Sequence, residues 1–436
     1  MNKKTIKIGI FGGYRGENYY KNLMANNAEI VAVCDKNKEY TQKAKDALGT
    51  EVAIYSDFDH FIQHEGLEAV VLSNYFHEHA LYAIRALEMG IHVLSECTAN
   101  GTMAEGVALV RAAEKSNAIY MLAENYPYML AENYPYMLFN QEMRRLYRSG
   151  ALGNLIYAEG EYNHPLAPED NLDYYISLCP SSMHWRYALP RTYYITHSLA
   201  PLMYITGAVP KRVTALSALD AVAEKPENFQ RGVPERASII LTQNDDGSIF
   251  RVTGCSAFGH HESSYRICGR KGQAENLRDH SGNLLLSYND WDTPEKCPAS
   301  RIYKPELTDK DKALIEKAGH GGGDFFVARE FLDCVREGRT PEFDVYFATT
   351  MASVAILAHR STLEGGKPYD IPDFRKEEDR RRYENDTFSP FYGSDGTPPS
   401  IAASVMPDYH TLTEAGRARY DALIKKHREK SKKIQP

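Results

Sequence analysis

Three glycines near the amino terminus and one acidic residue further along have the types and spacing of a ligand site. The segment Gly12-Gly13-Tyr14-Arg15-Gly16 follows the apolar run Thr5–Phe11 and leads into a helical pattern. Glycines in such a turn let backbone N–H groups approach a pyrophosphate at the start of a helix. Asp35 ends the next apolar run, 19 residues after Gly16. A carboxylate there can accept hydrogen bonds from both ribose hydroxyls and repels a 2′-phosphate, so these residues predict a site for NAD in preference to NADP.

The glycine pattern departs from Gly-x-Gly-x-x-Gly, because Phe11 stands where the pattern needs glycine and the loop is one residue shorter. The alternative interpretation is a glycine turn of any doubly wound domain, with Asp35 as a helix cap. The position of the cluster after an amino-terminal strand and before a helix favours the dinucleotide site.

Alternating strand and helix patterns must position this turn. Strand patterns occur at Thr5–Phe11, Glu29–Cys34, Val52–Tyr55, Ala69–Ser73, His92–Ser95 and Ile119–Ala123. Helical patterns follow most of them, and the last one stops at Gly150. This alternation is typical of a parallel sheet with helices on both faces, so the sequence predicts a Rossmann domain over residues 1–150.

The pattern changes after residue 150. Strand patterns follow at Leu155–Asn163, Arg212–Ser217, Ala237–Gln243, Ser248–Phe258 and Ser263–Cys268, and helical patterns at Tyr193–Ile205, Asp324–Glu337 and Tyr346–Glu364. They predict an α+β substrate and oligomerisation domain over 151–374, with an open-faced, mostly antiparallel sheet. Residues 375–436 are highly charged, which predicts an extended arm over Arg375–Ser400 and a solvated helix over Thr411–Lys430.

A tandem repeat interrupts the chain where the sixth strand leaves the sheet. The segment AENYPYML of Ala123–Leu130 recurs without a gap at Ala131–Leu138. A helix through both copies would place Pro135 in its interior at a cost of about 3 kcal/mol. We therefore expect the extra copy to be a loop, with the next helix starting near Pro135.

Several motifs together resemble the Gfo/Idh/MocA family of oxidoreductases along residues 5–374. Besides the glycine turn and Asp35, they are Val71-Leu72-Ser73-Asn74 with His79, Gly90-Ile91-His92-Val93-Leu94-Ser95-Glu96, Gly150-Ala151-Leu152-Gly153, Thr196-His197-Ser198 and Ile371-Pro372-Asp373-Phe374. The resemblance implies a nicotinamide held over the open-faced sheet, with a sugar between ring and sheet. It implies that Ser73, Asn74, His79, Glu96 and Asn125 join the glycine turn and Asp35 in binding NAD.

The chain departs from the family at two positions that bear on catalysis. Glu96-Cys97-Thr98 stands where many members have Glu-Lys-Pro, and Cys97 is a poor substitute for a lysine because an ordinary thiol has a pKa of about 8.5. Tyr193 stands where other members have an aspartate four residues before His197. At that spacing Tyr193 and His197 share one helix face, so we predict a pair that relays a proton from a sugar hydroxyl. Simple packing of both residues is the alternative, and Tyr194 is a possible substitute for Tyr193.

Further candidates for sugar binding lie at strand ends and in polar loops. They are Glu124, which directly follows the sixth strand, then His164, Trp185, Arg186, Tyr194 and His320. Glu132 and Asn133 in the repeat compete with Glu124 and Asn125 for the same roles. For each candidate, an ordinary packing or surface role remains open.

Composition and charge indicate which classes of partner the protein does not bind. The 436 residues carry a net charge of −7 with a pI of about 6.1, so no basic field would attract a nucleic acid. No apolar run reaches the roughly 18 residues of a membrane span. Met1-Asn2-Lys3-Lys4 leads directly into a strand pattern, so we expect no signal sequence. Seven scattered cysteines without a Cys-x-x-Cys pair favour a reducing cytoplasm. His60 and His64 have metal-ligand spacing but no third ligand, so we expect no metal site.

Three functions remain open. The first is an NAD-dependent oxidoreductase that transfers a hydride to or from a ring carbon of a sugar, polyol or glycoside. The second is a glycoside hydrolase or lyase that uses tightly bound NAD for transient ring oxidation and elimination, which the resemblance implies through Glu96-Cys97-Thr98 and His320-Gly321-Gly322. The third is a non-catalytic NAD-dependent sugar sensor, favoured by the missing lysine. A homo-oligomer, dimer or tetramer, is expected through the open sheet face or the charged arm.

Overall fold

A computed structural model describes most of the chain as two sheets with helices packed on them. The described residues are 3–123, 136–165, 179, 181–219, 233–318, 322–393, 395–406 and 414–434. Buried apolar side chains from both sheets join in one continuous core. Within these residues, none of the helices is both long enough and apolar enough to cross a lipid bilayer.

The first sheet has six strands, all parallel, in the order β3-β2-β1-β4-β5-β6. The strands are β1 (Ile6–Phe11), β2 (Ala28–Cys34), β3 (Ala53–Tyr55), β4 (Ala69–Leu72), β5 (His92–Glu96) and β6 (Tyr120–Ala123). All four residues of β4, Ala-Val-Val-Leu, are buried, as expected for a strand covered on both faces. The strand order reverses between β1 and β4, which is the point where sheets of this type bind ligands. The predicted Rossmann sheet is confirmed.

Seven helices accompany this sheet within the described residues. They are α1 (Gly13–Gly16), α2 (Tyr20–Ala25), α3 (Lys38–Leu48), α4 (Phe58–Phe61), α5 (His79–Glu88), α6 (Met103–Lys115) and α7 (Leu138–Arg148). Thr102 and Glu105 form a reciprocal capping box that starts α6. Most of the repeat, residues 124–135, lies outside the described residues, and α7 begins three residues after Pro135.

The second sheet has nine strands in the order β14-β13-β12-β11-β7-β10-β9-β8-β15. They are β7 (Leu155–Asn163), β8 (Pro210–Leu219), β9 (Glu235–Asn244), β10 (Ile249–Thr253), β11 (Glu262–Gly269), β12 (Gly272–Asn276), β13 (Leu284–Tyr288), β14 (Ser300–Tyr303) and β15 (Tyr369–Asp370). Only the pairing of β7 with β10 is parallel among these strands, so the predicted mostly antiparallel sheet is confirmed.

One face of this sheet is covered by α8 (Thr196–Thr206) and α11 (Val345–Leu363), while α9 (Lys312–Ile315) and α10 (Gly323–Glu337) lie nearer the first domain. The cover on β7 is close at Gly160, where a Cβ atom would overlap the backbone carbonyl of Ser198 at the start of α8. Ser198 is itself fixed, because its hydroxyl donates to the carbonyl oxygens of Ile195 and Thr253. Glycine at position 160 therefore sets how closely α8 approaches the sheet.

Gly160→Ala is expected to lower the free energy of unfolding by about 3 kcal/mol, because neither backbone can move away without breaking hydrogen bonds. Urea unfolding followed by circular dichroism measures the change. Gly101→Ala is the matched control, since a Cβ atom there meets its nearest neighbours at an ordinary 3.4 Å. Equal stabilities for the two variants would contradict the close approach.

The charged carboxyl-terminal segment packs against its own chain, although the sequence predicted an extended arm. It contains a short helix, α12 (Glu377–Arg381), and the helix α13 (Glu414–Ile434), which overlaps the predicted Thr411–Lys430. Asp386 joins both domains: its carbonyl oxygen accepts a hydrogen bond from Ala104 N at 2.9 Å, and its carboxylate accepts two from Arg360 on α11, at 2.6 and 2.5 Å. The side chains of Asp386 and Arg360 are each less than 15% exposed.

Asp386→Asn is expected to cost about 3 kcal/mol of stability, because it leaves the largely buried Arg360 guanidinium without its carboxylate. Thermal unfolding measured at several salt concentrations tests this. Asp370→Asn removes an ion pair with Arg212 in which both side chains are more than half exposed, so its cost should stay below about 1 kcal/mol. A larger loss of stability in Asp370→Asn than in Asp386→Asn would contradict a stabilising contact between the arm and Arg360.

Candidate functional site

The glycine turn and Asp35 face each other directly. Gly13 N donates to Asp35 Oδ2 at 2.7 Å, and Asn37 N donates to Asp35 Oδ1 at 2.8 Å. Asn37, not Asp35, caps α3 by accepting from Glu39 N. The alternative interpretation of Asp35 as a helix cap is therefore wrong. The carboxylate stands at the carboxyl end of β2 against the glycine turn, as a dinucleotide site requires.

The glycine turn requires glycine at two positions, Gly12 and Gly16. Gly12 has a φ of 101°, and a Cβ atom there would lie 2.5 Å from Ser73 O, while a Cβ atom on Gly16 would overlap the side chain of Ile10. Ser73, predicted to bind the cofactor, braces the turn by donating to Phe11 O at 3.0 Å and Gly12 O at 2.9 Å. The close packing of the turn on β1 and β4 fits a backbone that must approach a pyrophosphate.

Glu96 at the end of β5 is held by residues next to the glycine turn. Its Oε1 accepts hydrogen bonds from Arg15 Nε at 2.7 Å and from Tyr19 Oη at 2.5 Å, and Arg15 Nη2 lies 2.5 Å away. Burial, followed by the nearby Glu96 carboxylate, raises the pKa of Tyr19 well above its usual value. The structure thus connects two predicted cofactor residues, Arg15 and Glu96, and adds Tyr19, which sequence reasoning missed. The half-buried Cys97 thiol lies 3.9 Å from the other oxygen of Glu96.

His79 joins the loops that follow β4 and β5. Its Nδ1 lies 3.2 Å from Thr98 O and its Nε2 lies 3.3 Å from Asn74 O. Burial lowers the pKa of His79 to about 4, so the ring is neutral at physiological pH and donates through one nitrogen only. The predicted cofactor residues Asn74 and His79 therefore meet, with His79 fixing the loop that carries Asn74.

His197 lies among aromatic rings on the covered face of the second sheet. It is the second residue of α8, it is buried, and its carbonyl oxygen accepts from Tyr265 Oη at 2.6 Å. Its ring centroid lies 4.8 Å from that of Tyr162 and 5.3 Å from that of Tyr194. The predicted residue His164 stacks beside Tyr162 at 5.8 Å. We call the imidazoles of His164 and His197, together with the neighbouring rings of Tyr162 and Tyr194, the imidazole cluster.

The predicted pairing of Tyr193 with His197 on one helix face is wrong. Tyr193 ends a 3₁₀ turn, Arg191–Tyr193, and α8 begins only at Thr196. Its ring packs instead near His359 at 5.8 Å and Phe391 of the carboxyl-terminal arm at 5.1 Å. Burial raises the pKa of its hydroxyl, which favours the neutral phenol. Tyr194, the possible substitute, is the tyrosine that lies beside His197.

Trp185 and Arg186 form a stacked pair, but the indole is buried. The Arg186 guanidinium lies 4.4 Å from the centroid of Trp185, and Phe76 lies 4.5 Å away. Trp185 is 8% exposed, so most of its ring is covered by protein. The sequence suggested Trp185 as an exposed platform for sugar, but its buried indole does not provide one.

Several predicted residues lie outside the described part of the chain: Glu124, Asn125, Glu132, Asn133 and His320. The described residues that sequence reasoning missed are Tyr19, Tyr162 and Phe391. Tyr162 had a usable signal, because it alternates with Ala158 and Gly160 on the buried face of β7. Phe391 had none, since its partners Phe76 and Tyr193 are far away in sequence.

Two family models match the chain. Residues 6–124 match "Oxidoreductase family, NAD-binding Rossmann fold", the GFO_IDH_MocA model, and residues 261–380 match "Glycosyl hydrolase 109, C-terminal domain". Each match covers slightly more than a quarter of the sequence. The amino-terminal domain is a Gfo/Idh/MocA oxidoreductase domain. The first match starts at the first residue of β1, so the glycine turn and Asp35 fall within the family's nucleotide-binding domain.

Relatives of this chain include proteins named for glycoside hydrolysis. A glycosyl hydrolase family 109 protein of Solibacter usitatus is 26% identical over 408 residues, which cover 85% of this chain and 89% of that protein. Another, from Phocaeicola vulgatus, is 25% identical over 417 residues, covering 85% and 84%.

Solved structures of two dehydrogenases share the fold. Levoglucosan dehydrogenase in complex with NADH and levoglucosan aligns with a TM-score of 0.66 at 17% identity, covering 85% of this chain and all of that one. Myo-inositol 2-dehydrogenase from Lactobacillus plantarum aligns with a TM-score of 0.61 at 17% identity, covering 84% and 100%. This chain thus shares the fold of these two dehydrogenases.

Proposed function

We propose that this oxidoreductase binds NAD in preference to NADP and transfers a hydride to or from a ring carbon of a sugar, polyol or glycoside. The observation that carries the proposal is Asp35, whose carboxylate lies against Gly13 N at 2.7 Å at the end of β2. A carboxylate in that place accepts ribose hydroxyls and repels a 2′-phosphate. The dehydrogenase neighbours named for levoglucosan and myo-inositol support a carbohydrate substrate.

The imidazole cluster supplies the acid–base chemistry of this proposal. When bound, the cofactor supplies a nicotinamide ring that accepts or returns a hydride. A ring nitrogen of His197 takes the hydroxyl proton of the reacting carbon, while the rings of Tyr162 and Tyr194 confine the imidazole. His164 stacks on Tyr162 and lies beside His261, an exposed residue whose ring centroid is 4.7 Å from that of His164. These imidazoles extend from the buried His197 toward the surface and support proton exchange with solvent.

A second candidate function, cleavage of glycosides with the cofactor regenerated in each cycle, is favoured by the match of residues 261–380 to the glycosyl hydrolase 109 carboxyl-terminal domain. Oxidation of a ring hydroxyl would acidify the neighbouring C–H bond, and loss of that proton would expel the aglycone. Water would then add across the new double bond, and return of the hydride to the carbonyl carbon would restore the ring hydroxyl. The Glu96-Cys97-Thr98 motif, which stands where many family members have Glu-Lys-Pro, also favours this route.

Two measurements on one preparation separate these functions. Incubation with NAD and a panel of sugars and polyols should produce NADH absorbance if the protein catalyses net oxidation. Release of nitrophenol from nitrophenyl α- and β-glycosides without NADH accumulation would favour cleavage. If the protein binds the dinucleotide but is inactive in both assays, the sugar-sensor alternative stands. If it binds neither NAD nor NADP, the proposal is wrong.

We also propose a cytoplasmic homo-oligomer, dimer or tetramer, that pairs through the open face of the second sheet. That face presents a charged centre in which Arg251 bridges Glu159 and Glu161, and exposed apolar side chains at Leu216, Leu241 and Ile249 flank it. Light scattering on the full-length protein measures the oligomeric state. A monomer at micromolar concentration would exclude this assembly.

A further inference from the structure

The chain that leads into α8 carries two of the sugar-binding candidates but little regular structure of its own. Residues 181–190 form turns and bends, and the 3₁₀ turn Arg191–Tyr193 follows. Arg186 lies within these turns, and Tyr194 directly follows the 3₁₀ turn. We call residues 181–194 the sugar segment. Its internal backbone hydrogen bonds join residues three apart, so its shape depends on contacts with other parts of the chain.

Some of these contacts come from the chain beyond residue 380, where the match to the second family model ends. We call residues 381–436 the carboxyl-terminal extension. Its helix α13 holds the start of the sugar segment, because the Asp421 carboxylate accepts from Ser182 N at 2.9 Å and from Ser182 Oγ at 2.7 Å. Tyr420, the preceding residue, is buried, and its ring centroid lies 4.8 Å from that of Tyr187.

Phe391 of the extension holds the other end of the sugar segment next to the first domain. It is 4% exposed, and its ring centroid lies 5.1 Å from that of Tyr193. The same ring lies 5.3 Å from Phe76 and 5.7 Å from His77, in the turn that follows β4. Asn74, a predicted cofactor residue, comes two residues before Phe76. Phe391 therefore joins the sugar segment to the loop that carries Asn74.

Glu235 at the start of β9 is a shared partner of the extension and the sugar segment. It is 4% exposed, and its Oε1 accepts from Ser404 Oγ and from Val405 N, both at 2.8 Å. Its backbone carbonyl oxygen accepts from Arg191 Nε, also at 2.8 Å. The extension is thus attached near the beginning, the middle and the end of the path that leads to α8.

We propose that the carboxyl-terminal extension positions the sugar segment for binding, with Asp421 and Phe391 as positioning residues. The inference rests on the proposed function, because it presupposes that a sugar binds beside Arg186 and Tyr194. Asp421 and Phe391 act through the segment that they contact and not on the sugar itself. When one of these contacts is lost, the segment adopts its binding arrangement for a smaller fraction of the time, and the apparent affinity for the sugar falls by that fraction.

Steady-state kinetics of the full-length protein on the best substrate of the panel tests the proposal. Asp421→Ala should raise KM about three- to tenfold, because it removes two hydrogen bonds to a charged acceptor. The value of kcat and the Kd for NAD should each stay within about twofold of native, since His197 and Asp35 keep their surroundings. A rise in KM alone is a result that a general loss of stability does not produce.

Two further variants of α13 make this comparison specific. Asp421→Asn should keep KM near the native value, because its amide can accept from Ser182 N and donate to Ser182 Oγ. Glu429→Ala is the matched control, since Glu429 is an exposed acidic residue about two turns further along the same helix. It should leave KM unchanged.

Tryptophan fluorescence measures the sugar segment without a substrate. The sequence contains two tryptophans: Trp185 in the segment is 8% exposed, and Trp291 is 84% exposed. Trp291→Phe therefore leaves Trp185 as the single tryptophan. In that background, Asp421→Ala and Phe391→Ala should shift the emission of Trp185 to longer wavelength and increase its quenching by acrylamide. Glu429→Ala should change neither.

A native KM in Asp421→Ala would overturn the inference even if the variant is less stable, because the extension would then contribute to stability alone. Unchanged emission of Trp185 in Asp421→Ala would also overturn it, and neither result depends on whether Phe391→Ala folds. A native protein that acts on no sugar of the panel contradicts the proposed function instead. The emission of Trp185 then still shows whether the extension holds the segment, which keeps the two failures distinguishable.

Discussion

His197→Ala is expected to lower kcat by about 10²- to 10⁴-fold, the usual loss when a general acid–base residue is removed. The dissociation constant for NAD should stay within about twofold of native, because Asp35 and the glycine turn belong to the other domain. Stopped-flow or steady-state assay on the best substrate of the panel, together with calorimetry for NAD, measures both effects. A fall in kcat without a change in cofactor affinity locates the defect in proton transfer.

Two tyrosine variants provide the controls for this experiment. Tyr194→Phe should lower kcat less than His197→Ala does, because the ring that confines the imidazole remains while its hydroxyl is lost. Tyr193→Phe should leave kcat nearly native, since Tyr193 packs against His359 and Phe391. A loss in Tyr193→Phe as large as that in His197→Ala would restore the Tyr193–His197 pair that the sequence suggested and contradict the assignment of Tyr194 made from the structure.

The difference between these two tyrosines shows what sequence spacing misses. An i, i+4 relationship places two residues on one face only if a helix runs through both. Here the carbonyl oxygen of Tyr194 accepts a hydrogen bond from Cys255 N at 2.8 Å, so it is engaged by the chain that follows β10. Gly254 also lets that chain pass against the carbonyl of Arg191, where a Cβ atom would overlap. These contacts across some 60 residues end the helix at its amino-terminal side, and no local pattern reports them.

The parts of the site that the sequence did predict depend on short-range geometry. The strand, the glycine turn and the helix are consecutive in the sequence. The strand order and the handedness of the crossover are therefore enough to place Asp35 beside Gly13. The carboxyl-terminal arm is the opposite case. Its charges predicted an extended arm over Arg375–Ser400, but Arg360, Ala104 and Glu114 from both domains provide partners for Asp386 and Arg380. Whether a charged segment is solvated or bound depends on such distant partners.

Asp35→Ala is expected to weaken NAD binding about 100-fold, because it removes the hydrogen bonds that two ribose hydroxyls donate to the carboxylate, each with a value of about 1.5 kcal/mol or more. Asp35→Asn should weaken NAD binding less and bring the NADP constant closer to that for NAD, because the amide keeps one acceptor but no longer repels a 2′-phosphate. Calorimetric titration of each variant with NAD⁺ and NADP⁺ measures both changes.

Asp57→Ala provides the control for the Asp35 variants. Asp57 also accepts a backbone hydrogen bond, from His60 N at 3.0 Å at the start of α4, but it has no part in the glycine turn. Its replacement should reduce stability by about 1 kcal/mol and leave the NAD-to-NADP ratio unchanged. If Asp35→Asn also leaves the NAD-to-NADP ratio unchanged, the Asp35 carboxylate does not distinguish a ribose from a ribose 2′-phosphate. Its contact with Gly13 N then serves only to hold the turn. The hydrogen bond between Asp35 and Gly13 N exists before any ligand binds. Asp35→Ala therefore removes two contributions to NAD affinity: the ribose hydrogen bonds, and the hydrogen bond that holds the glycine turn in place.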